Sequence, residues 1–357
     1  MLDRISTFAG SLQRDDLIQS MQNQMNQLTN EISSGRKTDA AGSMGTGAGL
    51  LYQLHFQADQ QTALQTSATT AASRLDAIQT ALTNVSTVAQ NLANASQGTS
   101  SANAQTYSIV ATQAQGAISQ VLDSLNTQFD GSAVFAGDAA AAPMQAADAP
   151  GGPQATVNAV LSAAVAAKGG PLSQSDVQNL LNGANGLSSV FDNTNSNPAL
   201  NYNGSFYTGA TDGKPTKVLI GATSTLQYDA NAGQPAFRDL MKGLSMLSML
   251  AAPSSQLDDS AKSALMTQAN QVISAAQSEL TAQQGQLGVV QSQLQQVTAT
   301  QQAAASATQA QIMNFEQADT FTDSTRLTAL QTQLQATYEI TAQLSQLSLT
   351  HYFPALG

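Results

Sequence analysis

Apolar residues recur at intervals of three and four along most of this chain, which is the spacing of one face of an α-helix. One stripe of this kind lies near the N-terminus and two longer ones fall within residues 64–129. They consist of Ile18, Met21, Met25, Leu28 and Ile32; of Leu64, Ala68, Ala71, Leu75, Ile78, Leu82, Val85, Ala89 and Leu92; and of Tyr107, Ala111, Ala114, Ile118, Leu122, Leu125 and Phe129. Because the longer stripes extend over several heptads, they predict long helices that pair as a coiled coil.

The C-terminal part carries the same pattern in three shorter stripes. They consist of Leu287, Val290, Leu294 and Val297; of Leu327, Leu330, Leu334 and Tyr338; and of Ile340, Leu344 and Leu347. Both ends of the chain are therefore predicted to be amphipathic helices.

Proline divides the chain. Eight of the nine prolines lie between Pro143 and Pro253, and the ninth is Pro354. Because proline removes a helical hydrogen bond and clashes with the preceding turn, long helices are predicted on both sides of this interval. The predicted fold class is mainly α: a long antiparallel coiled-coil helical rod formed by the N- and C-terminal arms, with a small α+β domain inserted between them. The predicted segments are 1–40 (N-terminal helix), 41–142 and 254–318 (the two parts of the rod), 143–253 (the insert) and 319–357 (C-terminal helix).

Several local breaks are predicted within this plan. Residues 35–49 form a glycine-rich linker, residues 97–103 a polar turn, and residues 298–311 a Gln/Ala/Thr-rich stretch that is either helix or linker. In the insert, the pattern predicts helices over 157–167, 176–181 and 237–250, and strands over 205–208, 216–220 and 225–228.

The stretch DGSAVFAGD, residues 130–138, follows the third stripe and interrupts it. Gly131 and Gly137 allow the backbone to turn where a helix cannot continue. Val134 and Phe135 are predicted to dock the chain as it leaves the rod. We interpret these four residues as a domain-boundary motif.

The terminal stripes are short, and alanine at many stripe positions buries little area, so these helices are predicted to be marginal alone. They need each other or neighbouring subunits to cover their apolar faces. The predicted assembly interface consists of Ile18, Met21, Met25, Leu28, Ile32, Leu327, Leu330, Leu334, Ile340, Leu344 and Leu347.

Composition narrows the classes of function. The formal net charge of -11 opposes binding to nucleic acid, because phosphate contacts need clustered Lys and Arg. The chain has no cysteine and only two histidines, so a zinc site of the usual Cys/His kind is excluded. No apolar run reaches the length of a membrane span, and the N-terminus has no apolar core of a cleavable secretion signal. No membrane insertion is expected.

The remaining candidates for chemistry have simpler explanations. His55 is interpreted as a partly exposed helix residue and His351 as an interface residue. The Asp258-Asp259 pair precedes a helical run, where carboxylates favour the helix N-terminus, so we assign it to capping. The glycines of residues 42–49 have no preceding strand and no following Gly-Lys-Ser/Thr, so a phosphate-binding loop is not supported. No catalytic residues, cofactor or metal are predicted, and an enzyme is not expected.

Two terminal segments resemble the bacterial flagellin superfamily. QLTNEISSGRK, residues 27–37, is similar to that family's N-terminal segment, in which a helix ends at a Ser-Gly-Lys/Arg turn. Residues 326–349, RLTALQTQLQATYEITAQLSQLSL, are similar to its closing helix. The run FDGSAVFAGD, residues 129–138, and NGSFYTG, residues 203–209, resemble the branch that joins hook to filament. Ala133 stands where that branch has its first aromatic, and the acidic run after the Ser-Gly turn is reduced to TDAAG, residues 38–42.

The resemblance implies an exported structural subunit of the flagellum, delivered unfolded through the flagellar type III apparatus and found outside the cell. Its implied partners are copies of itself, a neighbouring hook-associated protein and flagellin, with an export chaperone before secretion. Its terminal helices would be largely disordered in the monomer and would form an inner layer on assembly. Within the family two roles compete, an adaptor at the hook-filament junction and the filament subunit. A secreted coiled-coil adhesin or effector stays open as a third interpretation.

Overall fold

The protein is mainly helical, as predicted. The computed structural model describes residues 2–97, 103–137, 139, 142–211, 214–221 and 224–352, and the side chains of residues 2–11, 46 and 344–352 lie outside that description. Its α-helices are α1 (Leu2–Ser34), α2 (Ala40–Met44), α3 (Ala48–Gln97), α4 (Ala104–Leu125), α5 (Pro153–Lys168), α6 (Val177–Asn182), α7 (Leu187–Phe191), α8 (Tyr202–Ser205), α9 (Pro235–Ser248), α10 (Asp259–Glu316) and α11 (Thr320–Tyr352).

Four short strands form two antiparallel hairpins. β1 (Gln128–Phe129) pairs with β2 (Ser132–Ala133), and β3 (Thr216–Leu219) pairs with β4 (Thr225–Tyr228). Short 3₁₀ turns occupy Gly45–Gly47, Gln174–Asp176, Pro198–Leu200 and Met249–Ala251. The strands predicted over 216–220 and 225–228 are thus confirmed to within one residue.

The two longest helices lie in the proline-free parts of the chain. α3 has 50 residues and α10 has 58. The Gln/Ala/Thr-rich stretch 298–311 lies inside α10, so of the two alternatives the helix is correct. The Asp258 carboxylate accepts the Ala261 N–H at 2.8 Å. This bond confirms that Asp258 caps the helix, and hydrogen bonds from Ser260 and then from Ala261 lower the pKa of its carboxyl.

The chain forms two compact units. We call residues 1–63 with 301–357 the terminal unit, and residues 64–300 the central unit. α3 and α10 each contribute residues to both. The segment boundaries proposed from the sequence stay predictions.

The central unit contains the larger core. Stripe residues of α3 and α4 are buried in it, together with residues of α9, α10 and the insert. α10 runs antiparallel to α3, since Gln79 Nε2 on α3 donates to the Gln284 carbonyl at 3.1 Å and Ser96, further along α3, donates to Asn270. The second and third stripes therefore face a shared interior, as their spacing predicted.

The strand predicted over residues 205–208 does not form, and Tyr207 makes only isolated bridges, one of them antiparallel with Met144. The N–H groups of Ser205 and Phe206 donate to the carbonyls of Asn201 and Tyr202 in a tight turn, so they are not available to a strand ladder. The aromatic side chains instead pack together: Tyr202 stacks on Phe206 with ring centroids 5.5 Å apart. Burial of these rings overrides their preference for strands.

The glycine-rich segment 35–49 is more ordered than a linker. The Asp39 carboxylate accepts the Gly42 N–H at 2.7 Å and caps α2, and a 3₁₀ turn leads from there into α3. The polar turn predicted over 97–103 is only partly described, since residues 98–102 lie outside the described part. Asn103 caps α4 by accepting the Thr106 N–H at 3.0 Å.

Candidate assembly interface

α1 and α11 pack against each other in the terminal unit. They run antiparallel, because Arg36, just after α1, forms a bridge with Gln317, just before α11, while Gln22 Nε2 donates to the Tyr338 hydroxyl at 3.1 Å further along. This pairing brings together the two terminal stripes from opposite ends of the sequence.

The stripe residues are only partly covered by this pairing. Met21 is buried, Tyr338 and Ile340 are exposed, and the other members with described side chains are half-buried. These half-buried members are Ile18, Met25, Leu28, Ile32, Leu327, Leu330 and Leu334. Burial stabilises a helix pair in proportion to the apolar area that it removes from water. The α1–α11 pair removes only part of this area, so further neighbours could bury the rest and stabilise the helices more.

Beyond Leu334, the half-buried face of α11 does not pass through the residues that the sequence predicted for the stripe. After Leu334 the half-buried positions are Thr337 and Thr341, at intervals of three and four, whereas Ile340 is 56% exposed. Within one chain, Ile340 therefore lies off the face that contacts α1. The side chains of Leu344 and Leu347 lie outside the described residues.

A group of titratable and charged side chains lies at the end of the α1–α11 pair, and we call Glu31, Arg36, His55 and Glu316 the corner cluster. Glu316 accepts from His55 Nε2 at 2.8 Å and lies 3.5 Å from an Arg36 guanidinium nitrogen. The Lys37 N–H donates to the Glu316 carbonyl at 2.7 Å. The turn after α1 and helix α3 thus both contact Glu316 at the end of α10.

Glu31 is the buried member of the corner cluster. Its Oε1 accepts the Thr38 N–H at 2.9 Å and the Gln27 amide at 3.2 Å. Burial raises the pKa of Glu31, but these hydrogen bonds and the Lys37 charge outweigh it, so the pKa lies below its usual value. The ionised carboxylate therefore stabilises the turn that ends α1.

Sequence reasoning missed the corner cluster. It classified His55 as a partly exposed helix residue, which agrees with a side chain about half exposed, but nothing in the local sequence joins it to a glutamate 261 positions away. The local sequence held one signal, which is Glu31 just before the Ser-Gly-Arg-Lys turn. A carboxylate near the C-terminal end of a helix is unfavourable there unless it finds hydrogen-bond donors outside the helix.

The domain-boundary motif forms a tight hairpin and a buried extension. Asp130 and Gly131 have φ of +50° and +73°, the two positive values that a two-residue type I′ turn requires between β1 and β2. Val134 and Phe135 are buried, and the ring of Phe135 meets that of Phe237 edge-on with centroids 5.7 Å apart.

Gly137 ends the buried extension of the motif. Its φ is +65°, and a Cβ atom there would lie 3.2 Å from both the Ala210 Cβ and the Asn231 Nδ2. Conformation and space therefore both favour glycine at this position.

The part of the chain that the structure describes contains no cluster of three His, Asp or Glu side chains that could hold a metal ion. Within the same residues, none of the helices combines the length and the apolar composition of a bilayer span.

Comparison with known families gives two matches. The model of the bacterial flagellin N-terminal helical region matches residues 5–140, and that of the bacterial flagellin C-terminal helical region matches residues 270–353. Together they cover more than half of the chain. The first includes most of α1 and the domain-boundary motif, and the second includes most of α10 and all of α11. No curated protein matches the chain by sequence.

Among solved structures, the fold of this chain is similar to the structure of a candidate flagellar hook-associated protein from Vibrio parahaemolyticus. The TM-score is 0.52 at 11% sequence identity, over 75% of this chain and 97% of that one. At this identity the similarity shows a shared fold.

Proposed function

This chain belongs to the bacterial flagellin superfamily, and from that premise we propose that it is an adaptor at the junction between the flagellar hook and filament. Membership makes it a structural subunit of the flagellum, and its place within the flagellum is the proposal. It would act by helical self-assembly outside the cell. An export chaperone would hold it before secretion, and a neighbouring hook-associated protein and flagellin would contact it afterwards.

The observation that carries self-assembly is the incomplete burial of the α1–α11 pair. The apolar stripes of the two helices meet as far as Leu334, yet most of the described stripe residues stay half-buried. Nine of the twelve large hydrophobic side chains that are exposed in the described part of the chain also lie in the terminal unit. Such a concentration of uncovered apolar surface is typical of an interface.

Two observations favour the junction role over the filament role. The hairpin and buried extension of residues 128–137 are the segment that resembles the junction branch of the family. The fold is also similar to that of a protein described as a candidate hook-associated protein. The filament role remains the second candidate, because both matching family models carry the flagellin name.

Location within intact flagella distinguishes the two roles. An epitope inserted after Gly169, an exposed glycine that follows α5, should be labelled in a short ring at the distal end of the hook. Labelling along the whole filament would contradict the junction role and support the filament role.

A deletion strain provides the second test. Loss of the junction protein should leave hooks without filaments in electron micrographs, with flagellin released into the medium. Intact filaments and normal motility in the deletion strain would instead favour the adhesin or effector interpretation and overturn a structural role in the flagellum.

A further inference from the structure

A cavity of about 370 Å³ lies beside the corner cluster, within the terminal unit. Ser34, Gly35 and Arg36 form one wall, and the last turns of α10, including Ala310 and Met313, form the other. The cavity adjoins the end of the α1–α11 pair, so it is continuous with the candidate assembly interface.

The chemistry of the cavity suits an aromatic ring. Met313 is 46% exposed and presents a thioether, and the Arg36 side chain is more than half exposed although its guanidinium contacts Glu316. A methionine sulfur attracts the edge of an aromatic ring, and a guanidinium attracts its face. The two groups together favour an aromatic occupant over an aliphatic one.

The chain itself presents such a ring close by in sequence. Phe321 is the second residue of α11, four positions after the cavity residue Gln317, and it is 82% exposed. It is the most exposed of the large hydrophobic side chains in the described residues. Leaving a phenylalanine in water forgoes the stabilisation that its burial would give, so its position indicates a contact beyond the single chain.

We propose that the Phe321 ring of one copy inserts into the cavity of a second copy, between Arg36 and Met313. The inference rests on the proposed function, because it requires the chain to assemble with itself. The inserted ring and the receiving cavity are different surfaces, and every copy carries both. Such a heterologous contact repeats from copy to copy and generates a ring or an open helix according to the rotation between neighbours.

Photo-crosslinking tests the contact directly and keeps an aromatic group in place. Flagella are isolated from cells in which the only copy of the protein carries Phe321→p-benzoylphenylalanine, and they are irradiated. We expect covalent dimers whose linked peptide contains Met313 or the adjoining cavity residues. The same substitution at Phe56, an exposed aromatic on α3, is the matched control and should not label that peptide.

The outcomes separate this inference from the proposed function. If flagella are normal but Phe321 crosslinks to another protein, to a different face of the second copy or within its own chain, the inference is overturned and the proposed function stands. If the chain does not assemble with itself at all, both are overturned.

Two substitutions test how much the same contact contributes to the free energy of assembly. Phe321→Ala removes the inserted ring, and Ala310→Trp fills the cavity from an exposed position on α10. We expect each to raise the protein concentration needed for assembly by about thirtyfold, which corresponds to about 2 kcal/mol for one buried phenylalanine. Thr325→Ala, one turn after Phe321 and exposed, is the control and should assemble as the wild type does.

The helical content of each variant, measured by circular dichroism, shows whether the single chain is intact. Because Phe321 is exposed, its removal leaves the fold of the single chain unchanged. A Phe321→Ala protein that assembles at the wild-type concentration would overturn the inference.

Discussion

Glu31 shows how one ionised side chain stabilises a turn at the candidate interface. Its carboxylate accepts the Thr38 N–H after the chain has left α1, so it joins the end of the helix to the segment that follows. The lowered pKa of Glu31 means that the folded corner favours the ionised form. Its contribution to stability is therefore fully present above the unfolded pKa of about 4.5 and is lost as the pH falls through the lower folded value.

We expect Glu31→Gln to weaken this turn, since a neutral amide oxygen is a poorer acceptor than a carboxylate. Exchange of the Thr38 amide hydrogen at pH 7 should become about tenfold faster, which corresponds to about 1.4 kcal/mol. Acidification of the wild type should approach the same exchange behaviour, after correction for the intrinsic pH dependence. Equal protection of Thr38 in both proteins would contradict this role of the carboxylate.

Gly137 and Gly131 provide a matched pair in the domain-boundary motif. Both have positive φ, but a Cβ at Gly137 would press on Ala210 and Asn231, whereas nothing lies within 4 Å of a Cβ at Gly131. Gly131→Ala should cost about 1 kcal/mol through conformation alone. Gly137→Ala adds a close contact to the same penalty, so it should cost roughly 1 kcal/mol more.

Urea unfolding of the two glycine variants measures this difference, with the midpoint and the slope reported for each. The prediction fails if Gly131→Ala is destabilised as much as Gly137→Ala.

At the residue scale, the sequence predicts a contact when both partners lie within a few positions of each other. Asp258 was recognised as a cap because its partners follow within three positions. The meeting of His55, Arg36 and Glu316 depends on how three helices converge, and a residue-by-residue reading has no access to that geometry.

At the scale of the element, the terminal helices depend on their apolar stripes. Met25 and Leu334 are half-buried on α1 and α11. A carboxylate at either position would have to be desolvated in an interface, which costs several kcal/mol when the charge has no partner. We expect Met25→Asp and Leu334→Asp to block assembly while the central unit stays folded.

The matched controls are Gln24→Asp and Gln333→Asp, which add the same charge at exposed neighbouring positions. They should still assemble, as judged by sedimentation and by electron microscopy of isolated flagella. Normal assembly of the Met25 and Leu334 variants would overturn the role of the stripes.

The helices were predictable because their signal is repeated many times. The nine positions of the second stripe repeat the helical spacing eight times, and all except the half-buried Leu64 are buried in α3. The segment 205–208 offered only four residues, and its aromatics are used for packing around Tyr202 instead of for a ladder. On α11 the apolar stripe agrees with burial as far as Leu334; beyond it the half-buried face carries the polar side chains of Thr337 and Thr341, which an apolar pattern does not reveal.

At the scale of the whole molecule, the two units differ in how much core each contains. The central unit buries an extended cluster that includes Tyr202, Phe135 and Phe237, whereas the separate core of the terminal unit consists of Ala40, Leu51, Leu54 and Ile312. The terminal unit also holds most of the exposed large hydrophobic side chains of the described residues. Local opening needs least free energy where few apolar contacts are lost, so the terminal unit should open first.

Limited proteolysis of the unassembled chain tests this difference. A protease of broad specificity should trim the chain from both ends and leave a resistant fragment close to residues 64–300, while assembled protein should be protected because neighbouring copies cover the terminal helices. The Leu334→Asp variant should yield the same fragment under conditions that favour assembly of the wild type. Early cleavage within residues 143–253, or equal resistance of both units in the unassembled chain, would contradict this order of stability. It would also remove the physical reason for expecting the terminal helices to become ordered on assembly, since a terminal unit that is stable alone has no need of a neighbour.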